Sequence, residues 1–143
     1  MGASWTIADT SYTDYYNSAL ELHPTNSNIV YVGSVRILTG TGYFGNGVFK
    51  STNGGSTFTS HSAGMQNTYV LDIEPDPNNP NLVYAGLWGA GFYRSTNGGI
   101  TWQQGNVDMT LPFIYAVEAT QSTTGTILYA GTFYPNEGLY VQR

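Results

Sequence analysis

The sequence has no cysteine and very little charge: four Lys/Arg and nine Asp/Glu among 143 residues, a formal net charge of -5. Without cysteine there are no disulfides, thiolate metal centres or cysteine nucleophiles, and the redox compartment stays undecided. So few cations exclude a surface that tracks nucleic-acid phosphates, which needs clustered Lys and Arg. No run of eighteen apolar residues offers a membrane span, and no basic-then-apolar leader opens the chain, so a soluble protein with no membrane partner is expected. His23 and His61 occur singly and far apart. Neither a metal site nor a cofactor is expected. What the chain does have is a 41% hydrophobic content, enough to bury a core, and an aromatic fraction of 15% with twelve Tyr. At 15.5 kDa it fits one domain or a small set of repeats.

Long helical periodicity is missing. Short β-branched and aromatic runs alternate with Gly, Asn, Thr and Pro: Asn28-Ile-Val-Tyr-Val-Gly33, Val48-Phe-Lys-Ser51, Asn81-Leu-Val-Tyr-Ala-Gly86, Phe92-Tyr-Arg-Ser95 and Thr126-Ile-Leu-Tyr-Ala-Gly131. This pattern reads as half-buried strands separated by turns, an all-β chain. A helical turn fits only around Tyr15 to Leu20, where alternation fits a strand equally well.

These runs repeat. Ile29-Val-Tyr-Val-Gly33, Leu82-Val-Tyr-Ala-Gly86 and Ile127-Leu-Tyr-Ala-Gly131 superimpose, each followed by Gly47-Val-Phe-Lys-Ser51, Gly91-Phe-Tyr-Arg-Ser95 or Gly138-Leu-Tyr-Val-Gln142. Before each comes an apolar strand carrying a glutamate: Glu21, Glu74 or Glu118. Two copies continue into near-identical hairpins, Ser51-Thr-Asn-Gly-Gly-Ser-Thr-Phe58 and Ser95-Thr-Asn-Gly-Gly-Ile-Thr-Trp102, 44 residues apart. That spacing suits a four-stranded propeller blade.

The hairpins resemble the Asp-box, or BNR repeat, of sialidase-like, sortilin-like and xyloglucanase-like propellers, with Asn53 and Asn97 where the pattern usually has Asp and Phe58 where it usually has Trp. The resemblance implies a structural role for Ser51, Asn53, Gly55, Thr57 and Phe58, and for Ser95, Asn97, Gly99, Thr101 and Trp102. Asx side chains and positive-φ glycines close the turn, and the aromatic packs into the blade.

Counting strands gives one blade over 15–64, a second over 68–106, and three strands of a third over 112–143. Gly2-Ala-Ser-Trp5 aligns with Gly99-Ile-Thr-Trp102, so residues 1–8 read as the missing outer strand of the third blade. Three blades are too few for a closed ring. A homodimer closing a six-bladed ring is therefore expected, each chain donating its Trp5 strand to the other.

Gly40-Thr-Gly-Tyr-Phe-Gly45 matches the glycine string of dinucleotide folds but lacks the strand-to-helix context, so nucleotide binding is not expected. Asp72 is the only acid at its repeat position, where Ala19 and Ala116 stand in the other copies. With Glu74, two residues on and on the same strand face, it offers a carboxylate pair at the spacing glycosidase chemistry needs, and these two are the catalytic candidates if the chain is an enzyme. Arg36 is the one cation outside the repeat, too few for a sialidase-type arginine cluster.

The connections between second and third strands differ most: thirteen residues from Gly33 to Gly47, four from Gly86 to Gly91, six from Gly131 to Gly138. They hold Arg36, Tyr43, Phe44, Trp88, Phe133 and Tyr134, and the blade connections add Tyr12, Asp14, His61 and Asp108. Variable loops on a repeating scaffold usually carry the function, and aromatic faces with a few polar partners suit sugar rings. The expected function is non-catalytic carbohydrate binding. The alternatives are a protein-interaction scaffold and a glycoside hydrolase of the xyloglucanase-like propeller type.

Overall fold

The computed structural model describes residues 4–9, 16–38, 42–66, 68–105, 109, 113–133 and 138–143, and among them every regular element is a strand. The first sheet joins β1 (Tyr16–Leu22), β2 (Val30–Leu38), β3 (Gly42–Ser51) and β4 (Thr59–Ser60) in that order. The second repeats the order with β5 (Val70–Pro75), β6 (Val83–Leu87), β7 (Gly91–Ser95) and β8 (Gln103–Gln104). The third has three strands, β9 (Ile114–Ser122), β10 (Gly125–Thr132) and β11 (Leu139–Gln142). All neighbours are antiparallel. The segment from Tyr16 is strand, not helix. No helix is long and apolar enough to cross a membrane among the described residues.

Period-2 alternation gives the middle sheet two apolar faces. One face presents Ile73, Val83, Ala85, Leu87 and Tyr93 to Tyr31 and Val48 of the first sheet. The other presents Tyr84 and Phe92, stacked at 5.7 Å, to Ile114, Val117, Leu128 and Ala130 of the third. Each such large side chain contributes on the order of 1.5–3 kcal/mol by leaving water. The sheets meet closely where the repeat places glycine. A Cβ on Gly33 would lie 2.8 Å from Val70 Cγ1, and one on Gly86 would lie 2.8 Å from Ile114 Cγ2. Each innermost strand also carries a one-residue bulge at the same repeat position, at Ser18, Leu71 and Tyr115.

The two repeated hairpins share one hydrogen-bond pattern. Ser51 Oγ accepts the Gly55 N–H at 2.9 Å, and Asn53 Oδ1 accepts the Thr57 N–H at 2.9 Å. Asn53 Nδ2 donates to Thr57 Oγ1 at 2.8 Å. Ser95, Asn97, Gly99 and Thr101 make the same bonds at 2.9 Å each. Gly54, Gly55, Gly98 and Gly99 sit at φ of 67°, 86°, 67° and 80°, which the turn requires. Trp102 is buried and donates its Nε1–H to the His61 carbonyl at 2.8 Å, while Phe58 packs on Val30, Val32 and Phe49.

One expectation needs correction. Most of the stretch between Gly33 and Gly47 is strand rather than loop: β2 and β3 run on as a paired ribbon through residues 34–38 and 42–46, with a bulge at Asn46, because residues 34–38 continue to suit a strand. Residues 4–9, expected to pair with a second chain, lie outside the strands of this one, and Trp5 and Ile7 stand exposed.

Candidate functional site

Antiparallel order sends the β5 start, the β6–β7 turn, the β9 start and the β10 end to one end of the sheets, opposite the Ser51–Phe58 and Ser95–Trp102 hairpins. Tyr69, Trp88, Phe113, Tyr115 and Phe133 gather there. The Trp88 ring makes edge contacts with Phe113 at 4.8 Å and Phe133 at 5.2 Å, and a tilted contact with Tyr69 at 6.3 Å. Tyr115 stacks on Phe133 at 5.7 Å. Backbone bonds fix the loops that carry these rings: Trp88 N–H donates to Tyr69 O at 2.9 Å, and Phe133 N–H to Phe113 O at 3.3 Å. A cavity of about 430 Å³ opens between Tyr69, Leu71, Trp88 and Tyr115. Phe133 and Tyr115 are exposed and Trp88 is half-buried. The cluster can offer flat apolar faces to a ring-shaped ligand.

Of the residues expected on this surface, Trp88 and Phe133 are brought together. Arg36 and Phe44, both exposed, are paired across the β2–β3 ribbon of the first sheet. Tyr43 is placed by its backbone alone, opposite Ile37. Tyr12, Asp14, Asp108 and Tyr134 lie outside the described residues. His61 follows the outermost strand β4, where its carbonyl serves Trp102. Tyr69, Leu71, Phe113 and Tyr115 were not singled out from the sequence. Leu71 and Tyr115 are the bulge residues of β5 and β9, and a bulge leaves no mark in an apolar alternation. Tyr69 and Phe113 both immediately precede an inner strand, and that shared position was the available signal.

The carboxylates are occupied by backbone. Asp72 Oδ2 accepts the Val117 N–H at 2.8 Å and Oδ1 accepts the Ile73 N–H at 3.0 Å. Burial raises its pKa, those two bonds oppose the rise, and the Glu118 charge adds to it. Glu74 accepts from the Ala119 backbone and is pushed up to about 7, by burial first and then by the charges of Glu118, Glu21 and Asp72. Glu21 is raised too, by burial and then by Asp72. Asp72 and Glu74 thus reach across from β5 to satisfy successive outward N–H groups of β9. Asp76, in the β5–β6 turn, is likewise structural: it accepts from Tyr84 Oη at 3.0 Å, Thr126 Oγ1 at 2.9 Å and the Asn78 N–H at 2.8 Å. Among the described residues no three His, Asp or Glu come together in a way that could hold a metal ion.

No family model matches the sequence, and no curated protein matches it. Solved structures do. An ancestral GH74 enzyme matches with 28% identity and a TM-score of 0.62 over 82% of this chain and 16% of its own. The GH74 enzyme of Niastella koreensis matches with 24% identity and a TM-score of 0.60 over 87% of this chain and 19% of its own. The GH74 xyloglucanase from Xanthomonas campestris matches at 15% identity and a TM-score of 0.54, over 90% of this chain and 29% of its own. These are β-propellers, and the fold of this chain is an all-β, propeller-like one. The chain spans less than a third of the length of each.

Proposed function

We propose that the chain is a non-catalytic, carbohydrate-binding propeller unit of the Asp-box type, which holds a glycan against Trp88, Tyr115 and Phe133. The ring cluster beside an open cavity carries this reading. Sugar C–H faces stack on such rings while hydroxyls find polar partners. The likeness to GH74 enzymes supports a carbohydrate ligand. The carboxylate geometry supports binding over hydrolysis, because Asp72 spends both oxygens on backbone N–H groups.

The test is a glycan array that includes xyloglucan and β-glucan oligosaccharides. Binding should be retained by the parent and weakened about tenfold or more in Phe133→Ala and Trp88→Ala, the loss of one stacked ring. Phe133 is exposed, so its variant should keep the fold. An array with no hits, alongside saturable binding of a protein ligand, would replace this reading with the interaction scaffold.

One observation favours a hydrolase as the second reading: Glu74 is held near the pKa of a general acid. Release of reducing ends from xyloglucan that disappears in both Glu74→Gln and Asp72→Asn would establish it.

A further inference from the structure

We propose that residues 4–9 serve as a donated strand: they add to β11, the outer strand of the third sheet, in a second copy of the chain, and two such exchanges close a ring. This inference is independent of what the aromatic cavity binds.

Three observations converge on it. First, the segment lies where the outer strand of a preceding sheet would lie, and among the described residues no strand pairs with it. Asp9 Oδ2 accepts the Phe58 N–H at 2.9 Å, tying the segment to the first repeated hairpin. The equivalent Trp102 N–H donates at 2.9 Å to Ala63, in the segment that follows the preceding sheet's outer strand. Trp102 is 2% exposed, whereas its repeat equivalent Trp5 is 101% exposed.

Second, the third sheet has an empty seat for that tryptophan. In the second sheet Trp102 sits against the His61 carbonyl, in a cluster onto which Met65 packs. The corresponding residues 44 positions on are Gly105 and Met109. These two, with Phe92, Arg94, Tyr140 and Val141, line a cavity of about 370 Å³ between the second and third sheets. The cavity thus falls where the repeat requires an indole.

Third, the outer faces of the first and third sheets carry exposed equivalents of residues that are buried at the internal junctions. Ile73 is 0% exposed, and its equivalent Leu20 on the first sheet is 66% exposed. Phe92 is 4% exposed, and its equivalent Leu139 on the third sheet is 62% exposed. An apolar face and a free strand edge are features that folded proteins cover. The chain carries both halves of the same junction, one at each end, so a second copy is the occupant that fits both. Two copies related by a two-fold axis leave no end open, and the exchanged segment is the domain-swapping route to a dimer.

The register follows from the complete sheets. Tyr93 faces Gln104 and Arg94 faces Gln103 in the second, as Phe49 faces Ser60 and Lys50 faces Thr59 in the first. With Trp5 in place of Trp102, Ile7 faces Tyr140 and Thr6 faces Val141 across the exchange. The chain has no cysteine, so this pair can be tested cleanly. The double variant Thr6→Cys with Val141→Cys should oxidise to a covalent dimer of twice 15.5 kDa on a non-reducing gel, with neither single variant doing so. Light scattering on the unmodified chain should give the same doubled mass, and Leu139→Arg, on an exposed strand position, should return it to one chain with the β-sheet circular dichroism retained. A mass of 15.5 kDa for the unmodified chain at micromolar concentration overturns the proposal. So does a cross-link within one chain, or a ladder of three or more copies, which would mean an open head-to-tail array.

Discussion

Ser95→Ala probes how the repeated hairpins stabilise the sheets, with Ser51→Ala as its internal control. Both serines are buried, and both accept a glycine N–H at 2.9 Å, from Gly99 and Gly55 respectively. The difference lies around the glycine. Gly99 is buried: a Cβ there would lie 3.0 Å from Tyr31 Cε1, and the preceding Gly98 carbonyl accepts Tyr31 Oη at 3.2 Å and Lys50 Nζ at 2.7 Å. Its N–H has no route to water once Ser95 loses its hydroxyl. Gly55 is only half-buried, so water can replace the Ser51 hydroxyl. A stranded buried donor costs about 1–3 kcal/mol, whereas a bond exchanged for water costs about 1 kcal/mol or less. Ser95→Ala should therefore destabilise by about 2 kcal/mol and Ser51→Ala by about half that. For 143 residues each kcal/mol corresponds to roughly 3 °C in Tm. Urea unfolding at one fixed, low protein concentration reads both variants, since any assembly makes stability concentration-dependent. Raising the concentration should narrow the gap if a second copy covers the first hairpin. A larger cost for Ser51→Ala, or a cost under about 0.5 kcal/mol for Ser95→Ala, would refute the reasoning.

Glu74→Gln should change the pH dependence of stability. The folded pKa is about 7, above the ordinary glutamate value of 4.5, so the native chain holds this proton more tightly than the unfolded one. That contribution is complete below pH 4.5 and is lost as pH rises through 7. Glu74 is half-buried, so solvent screening leaves on the order of 1–2 kcal/mol. Urea midpoints at pH 4 and pH 8 should show the variant equal to the parent at the lower pH and more stable at the higher; equal loss at both would contradict the assignment. Gly45→Ala should dislodge the β2–β3 ribbon, because a Cβ there would overlap the Thr68–Tyr69 backbone. A loss of more than about 2 kcal/mol by thermal melting is expected, and an unchanged Tm would show that the ribbon does not rest on that backbone.

By itself the sequence determined the strands and their order. Glycines, Asx residues and β-branched runs recur at fixed offsets, and those offsets specify turns through local sterics and short-range hydrogen bonds that need no distant partner. The Ser51–Phe58 and Ser95–Trp102 hairpins are such local objects. The position of Trp88 in a short turn was legible for the same reason.

Tertiary structure decided everything that depends on which sheets face each other. Asp72 and Glu74 read as a carboxylate pair on one strand, but only packing of β5 against β9 brings Val117 and Ala119 N–H groups to them and occupies them. Tyr115 and Leu71 join the cavity because a bulge turns them toward it, and bulges arise from strand pairing that a linear pattern does not encode. The burial of Trp102 and the exposure of Trp5 make the contrast plain. The repeat gives both tryptophans a similar local sequence, and packing against the preceding sheet, which Trp102 has through the His61 carbonyl, is what buries an indole.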